Sequence, residues 1–312
     1  MTRRWVLAYS VVVLLGGSAA AFAQQDFSKV EVTSEKIAEG VYMLKGAGGN
    51  IGLSVGADTA FLIDDQYAPL TPKVKAAVAA LTSKPVRFVL NTHWHGDHTG
   101  GNKDLGESGT LIVAHENVRK RMSTDQFIEA FGMKEPAADP AALPVVTFTD
   151  AVTFHLNGDE IYAFHVAPAH TDGDSIVQLR KANVIHGGDT FFNGMYPFID
   201  LSSGGSVNGM IAAADRMLLL AGEGTKIIPG HGPLGTKADL EAYRDMLATA
   251  RDRVAALVKA GKTLEQVTAA KPTADLDAKW GQGFIKPDPW VSILYKDLAR
   301  GPESEVTRLA RG

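Results

Sequence analysis

Short apolar runs separated by glycine-rich turns characterise the chain between Val30 and Asp65, where "VYMLK", "IGLSV" and "TAFLIDD" read as successive β-strands of a meander. In "TPKVKAAVAALTS" the apolar spacing changes to that of an Ala-rich helix, and after Pro85 "VRFVL" returns to strand, which together make a βαβ unit. "TLIVAHE" is another strand, residues 116–131 carry a helical pattern, and "EPAADPAALP" at 135–144 is an irregular connection. The order then repeats: strands in "VTFHL", "IYAFHVA", "SIVQLR" and "NVIHGGD", a helix in "VNGMIAAADRMLLLAG", and the strand "KIIPGHG". Two similar β/α halves packed face to face with helices outside satisfy this repeat better than two independent domains. Beyond it Thr236 and Asp239 form a capping box, and Leu240, Tyr243, Leu247, Ala250, Val254 and Leu257 give one apolar stripe that Gly261 closes. The tail through "FIKPDPWVSILYKDLAR" is predicted as further helix.

The first residues follow a different pattern. "MTRR" is a basic start, "WVLAYSVVVLLGG" an apolar run and Ala21-Phe22-Ala23 a small-x-small cleavage site, which predicts an export signal over residues 1–23 and a mature chain that begins at Gln24 in the periplasm or outside the cell. Thr2-Arg3-Arg4 before Trp5 also loosely fits a twin-arginine leader, so the choice between export routes stays open. The apolar run is short for a bilayer and no other segment could span one, so no membrane association is expected after cleavage. A formal net charge of −4 over 312 residues, without long runs of one sign, makes no electrostatic case for nucleic acid and points to small-molecule substrates. With no cysteine, the fold has no disulfides, and any metal ligand must be His, Asp or Glu. Nothing in the sequence signals an oligomeric state.

Candidate chemistry is concentrated in four stretches that each follow an apolar strand and adjoin Gly or Pro. They are His93, His95, Asp97 and His98 in "NTHWHGDHTGG", His170 in "PAHTDGDS", Asp189 in "HGGDT" and His231 in "PGHGP". Loops at one sheet edge can bring such residues to a single site. Imidazole and carboxylate suit zinc, with manganese or iron as substitutes. His93 and His95, two apart in extended chain, can share one ion. Seven ligands exceed one tetrahedral ion and suit two ions sharing a bridging group, an arrangement of metal-dependent hydrolases.

His93-x-His95-x-Asp97-His98, followed in order by His170, Asp189 and His231, resembles the metallo-β-lactamase superfamily over about residues 30–235. The resemblance implies an αβ/βα sandwich of two mixed sheets with outer helices, here followed by a C-terminal helical extension over 236–312. It implies that His93, His95 and His170 hold one metal, that Asp97, His98 and His231 hold a second, that Asp189 bridges them, and that Asp97 orients the attacking hydroxide as the catalytic residue. Zinc β-lactamases of the three-histidine, Asp-Cys-His type carry cysteine where this chain has Asp189, and lysine where it has Phe192. An aspartate bridge is instead the pattern of glyoxalase II-like thioesterases and lactonases.

The expected function is therefore hydrolysis, by water activated on two zinc ions, of a carbonyl in a small β-lactam-like cyclic amide or a lactone or ester. A glyoxalase II-like thioesterase or other acyl hydrolase is the alternative, and a non-catalytic metal- or ligand-binding protein the alternative of another class. Trp94, Phe192 and Tyr196 are candidate pocket residues, with Phe191 beside them. His115, His155, His165 and His186 are read as structural or surface histidines, and Asp172 and Asp174 as turn residues.

Overall fold

The computed structural model describes residues 26–300, so the expected export signal lies outside the described residues. Strands β1 (Thr33–Ala38), β2 (Val41–Lys45), β3 (Ile51–Val55) and β4 (Ala60–Ile63) form the antiparallel meander. Helix α1 (Thr71–Ala79) crosses over so that β5 (Val86–Asn91) lies parallel to β4. The short helices α2 (Gly96–Thr99) and α3 (Asn102–Glu107) lead to β6 (Leu111–His115), parallel to β5. After α4 (Glu116–Met122) a hairpin of β7 (Gln126–Ile128) and β8 (Met133–Glu135) stands apart, and β9 (Val146–Phe148) closes a sheet ordered β1-β2-β3-β4-β5-β6-β9.

The second sheet runs in sequence order: β10 (Ala151–Leu156), β11 (Asp159–His165), β12 (Ser175–Leu179) and β13 (Val184–Phe192) are antiparallel. Helix α5 (Val207–Leu220) then crosses over to β14 (Lys226–His231), parallel to β13. Helices α6 (Lys237–Lys259), α7 (Leu264–Ala269), α8 (Asp277–Trp280) and α9 (Pro287–Ala299) form the C-terminal extension.

Three apolar layers hold this together. Met43, Phe61, Ile63 and Leu90 of the first sheet meet Ile161, Val177, Leu179 and Ile228 of the second. On the outer face of the first sheet, Val74 and Val78 of α1 cover Leu44, Leu62 and Val89. On the outer face of the second, Met210 and Met217 of α5, Leu240 and Leu247 of α6, and Trp290 of α9 join one cluster with Ile176, Ile185 and Ile227. The arrangement is the expected αβ/βα sandwich, and its C-terminal helices bury their apolar stripe on the same core. The capping box on α6 forms in both directions, and such a cap stabilises by about 1 kcal/mol. Gly261, at φ +71°, ends the helix as Lys262 N–H donates to the Leu257 carbonyl.

The helical pattern predicted over 116–131 is cut short at Met122. Ser123 Oγ donates to the Lys120 carbonyl at 2.9 Å, and Gln126 Nε2 to that of Arg121 at 3.1 Å. These side-chain bonds satisfy the last carbonyls and release the chain into β7. Among the described residues, no helix is long and apolar enough to cross a membrane.

Candidate metal centre

Parallel strands place their carboxyl ends at one edge, and here β4, β5, β13 and β14 do so together. His93 and His95 follow β5, their ring centroids 4.9 Å apart and nearly perpendicular. Asp97 and His98 lie on the single turn α2, His170 on the connection between β11 and β12, and His231 at the end of β14. Asp189 sits inside β13, where register with β14 breaks between Gly188 and Phe192 and Gly188 takes φ +51°. This bulge frees Asp189 from the ladder. Glycine is needed where backbone approaches the cluster: a Cβ on Gly49 would lie 2.0 Å from His98 Cε1, and one on Gly230 2.0 Å from Asp189 Oδ1.

All seven residues singled out in the sequence converge. His95 Nδ1 faces His170 Nε2 at 2.8 Å, and with His93 they form one set of nitrogens that could hold an ion. His231 Nε2 lies 3.3 Å from Asp97 Oδ2 and 3.4 Å from His98 Nε2, forming a second. Asp189 lies between the sets. Its Oδ2 is 3.8 Å from His93 Nε2 and 3.5 Å from both His170 Nε2 and His231 Nε2, while its Oδ1 is 3.1 Å from His98 Nε2.

The outward nitrogens of His98, His170 and His95 are already engaged. His98 Nδ1 is 2.8 Å from Asp64 Oδ2, His170 Nδ1 2.8 Å from the Phe198 carbonyl, and His95 Nε2 3.1 Å from Asp200 Oδ2. Each such acceptor takes a hydrogen bond from the outward ring N–H, which turns the inward nitrogen toward the cluster as the one free to ligate a metal. Asp64 is itself fixed by Thr92, whose N–H donates at 2.7 Å and whose hydroxyl donates at 2.8 Å, and it adopts φ +64°. Two residues on, Gln66 at φ +69° accepts from Gly48 N–H at 2.7 Å and donates to the Gly49 carbonyl. Strained backbone of this kind clusters at functional sites.

Charge divides the cluster in two. Burial holds His93 neutral well below the usual imidazole range and brings His170 down to about 4. Burial also opposes charge on His98 and His231, but the surrounding carboxylates, Asp189 foremost, outweigh it: His98 is raised well above its ordinary value and His231 to about 9. Against its own burial, Asp97 is lowered to about 2 by His98 and His231. The carboxylates thus require positive charge in their midst. His93 Nε2 is fully buried without a hydrogen-bond partner. An orphaned nitrogen, converging lone pairs and a cation-demanding carboxylate pair fit divalent metal ions.

Around the centre, Phe192 stacks on His231 with centroids 5.2 Å apart and the planes 18° apart. Phe198 stacks on His95 at 5.9 Å and meets Phe131 of the hairpin at 4.7 Å. Tyr67 lies within the field of Asp97, Asp189 and Glu135; burial first, and then those charges, raises its hydroxyl. Trp94 is buried in the core, with Nε1 donating to Ser203 Oγ at 3.2 Å. Tyr196 is placed elsewhere: it is buried, its ring stacks on Trp290 and its hydroxyl donates to Asp277 at 2.8 Å. Phe191 packs edge-on against Tyr243.

His115 and His165 stack on each other at 3.8 Å, His186 is buried with Nε2 3.1 Å from the Asn50 carbonyl, and His155 is exposed. Asp172 pairs with Arg121, and Asp174 accepts from the N–H groups of His170 and Thr171. Sequence reasoning missed Asp64, Asp200, Phe198 and Phe131. Asp64 carried the usable signal, a carboxylate directly after the apolar run "TAFLI".

The chain is 25% identical to a Bacillus cereus metallo-beta-lactamase type 2 over 187 residues, covering 60% of this chain and 68% of that protein. It is 31% identical to the Erythrobacter litoralis hydroxyacylglutathione hydrolase over 103 residues, 33% of this chain and 39% of that one. Its fold superposes on the DIM-1 metallo-beta-lactamase with a TM-score of 0.56 and 21% identity, over 71% of this chain and all of that one. Residues 46–234, which contain all seven converging groups, match the model of the Metallo-beta-lactamase superfamily. The chain therefore belongs to the metallo-beta-lactamase superfamily of metal-dependent hydrolases.

Proposed function

We propose that this protein hydrolyses a carbonyl bond in a small cyclic amide or ester, β-lactam-like or lactone, with two zinc ions, and that it works in the periplasm or outside the cell after removal of residues 1–23. The observation that carries the reading is the position of Asp189, within 3.8 Å of one or more nitrogens from each of the two ligand sets. A carboxylate so placed can serve both ions of a dinuclear centre. His93, His95 and His170 would hold one ion and Asp97, His98 and His231 the other. Bound there, divalent ions polarise a carbonyl oxygen and lower the pKa of water from about 16 to about 7.

The chain's own groups do the positioning. Asp97 is ionised and its side chain is 20% exposed, so it can accept a hydrogen bond from water at the mouth of the site. Asp64 and Asp200 hold His98 and His95 in the orientation and tautomer that present a lone pair inward. Phe192 and Phe198 stack on His231 and His95 and supply an apolar wall, which lowers the local dielectric around the reacting carbonyl. Phe192 also stands where related β-lactamases place a lysine, so a substrate carboxylate finds no cation at that position.

Similarity to the Erythrobacter litoralis hydroxyacylglutathione hydrolase supports a second reading, thioester hydrolysis. A screen of the zinc-loaded protein against β-lactams, lactones, thioesters and phosphodiesters separates them. Hydrolysis of a cyclic amide or ester that stops on chelation and returns with zinc is the expected result. Turnover of thioesters alone would replace the first reading with the second, and binding without turnover would leave a metal-binding protein.

A further inference from the structure

Away from the metal centre, a half-open cavity of about 870 Å³ lies between α4, the start of α5 and the 201–206 loop. Its size is that of a small-molecule site. Ala167, Pro168, Leu201 and Ala212 give it an apolar floor, and its charged wall consists of Lys120, Arg121, Arg300 and Asp172. Arg121 and Asp172 cancel one another through two bonds of 2.6 Å. Among the described residues Lys120 makes no ion pair, and the Arg300 side chain donates to the Leu201 carbonyl at 3.2 Å. Among the described residues the cavity therefore keeps two cationic side chains, Lys120 and Arg300, beside an apolar surface.

The loop on its far side reaches the metal centre. Ser202 lines the cavity, and both its N–H and its hydroxyl donate to Asp200 Oδ1, the N–H at 3.0 Å. Asp200 Oδ2 is the group that holds His95. The Asp172 N–H donates to the Ser203 carbonyl at 2.9 Å, and the Asp200 N–H to the His170 carbonyl at 3.0 Å. An occupant that moves Ser202 or Asp172 acts on the same loop that orients His95.

We propose that this cavity binds a small organic anion, a carboxylate or phosphate ester with an apolar body, and that its occupancy is relayed through Ser202 and Asp200 to His95. The anion lies against Lys120 and Arg300, and the body on Ala212 and Pro168. The proposal does not rest on which bond the enzyme hydrolyses.

Calorimetric titration of the zinc-loaded protein with phenylphosphate tests it, and a zinc-free preparation distinguishes this cavity from the metal centre. Phenylphosphate is expected to bind in both. Ala212→Trp, which fills the floor, and Lys120→Glu, at an exposed position, should each weaken binding by about tenfold or more, while Lys120→Arg retains it. Benzyl alcohol and inorganic phosphate should each bind about tenfold more weakly than phenylphosphate. Binding that vanishes with zinc, or that is unaffected by both Ala212→Trp and Lys120→Glu, overturns the site. Equal binding of benzyl alcohol overturns the anion requirement, and equal binding of inorganic phosphate overturns the apolar body. The relay is read separately by chelator competition: phenylphosphate should shift zinc affinity by about fivefold or more, and an unchanged affinity overturns the relay.

Discussion

The carboxylate of Asp200 lies 3.1 Å from Nε2 of His95, on the side of the ring opposite the nitrogen that faces His170. The two residues are 105 positions apart, and their contact decides which ring nitrogen keeps its proton. Against burial, the hydrogen bonds from His95, Ser202 and Ser203 hold Asp200 well below the usual carboxylate range, so it remains an acceptor. Asp200→Asn keeps the volume but can turn a donor toward His95. Zinc affinity, measured by chelator competition, is expected to fall roughly 10- to 100-fold with little change in Tm. Wild-type affinity would show that His95 needs no such partner.

Gly49 offers a steric test of the second ligand set. Its absent side chain leaves room for His98, whose ring an added Cβ would meet at 2.0 Å, while Asp64 grips the far nitrogen at 2.8 Å. The ring cannot retreat without breaking that bond. On the proposed two-ion centre, Gly49→Ala is expected to displace the ion held by Asp97, His98 and His231, lowering the zinc content, and to cost about 1–3 kcal/mol of stability from overpacking. Elemental analysis together with denaturant unfolding checks both, and full zinc content would place the ring's freedom elsewhere.

The ligand set was legible because each member follows an apolar strand and lies near a glycine or proline, the places where strand ends turn toward one edge. His93 and His170 fit that description and His231 ends its strand, whereas Asp189, which reads as following "NVIHGG", lies inside β13 at the bulge beside Gly188. Asp64 meets the first half of it, yet reads as the end of a strand because the backbone turn at φ +64° that aims it inward has no glycine to announce it. Asp200 follows no strand, and its role depends on a loop folding back across the sheet. Tyr196 shows the opposite difficulty: an aromatic soon after a ligand suggests a pocket wall, but Trp290 of α9, remote in sequence, takes its ring into the core. The hairpin that brings Phe131 to Phe198 was hidden by helical spacing, which the capping bonds of Ser123 and Gln126 override.

His115 and His165 give the fold an acid-sensitive contact away from the metal centre. Their rings stack at 3.8 Å, His115 Nε2 donates to the Thr149 carbonyl at 2.9 Å, and its Nδ1 accepts from Asn117 N–H at the start of α4. Burial, and then the neighbouring His165, bring His115 down to about 4. A histidine whose value falls on folding contributes stability that is present above its unfolded value, near 6.5, and is lost as pH falls toward 4. Wild-type protein should therefore lose stability relative to His115→Gln between pH 6.5 and 4, while the difference between them stays constant above pH 7. Denaturant midpoints of the two proteins across that range provide the check, and a constant difference throughout would mean the pair does not titrate with folding.

Asp189 and Asp97 make the sharpest contrast in the cluster. Asp189 lies within 3.8 Å of nitrogens in both ligand sets, whereas Asp97 approaches His98 and His231 alone, at 3.7 and 3.3 Å. Asp189→Ala removes the shared carboxylate but leaves the inward nitrogens of His93, His95 and His170 grouped at one point. The first ion is therefore expected to stay and the second to be lost, with turnover down by about 10²-fold or more. Asp97→Asn keeps the volume and removes the charge next to the open face of the site; it should weaken only the second ion while lowering the rate by a similar factor. Anomalous scattering at the zinc edge, with both variants crystallised from zinc, reads the two positions separately. If Asp189→Ala retains both ions at full occupancy, the shared-carboxylate assignment fails, and the two sets act as independent sites that happen to face each other across β13.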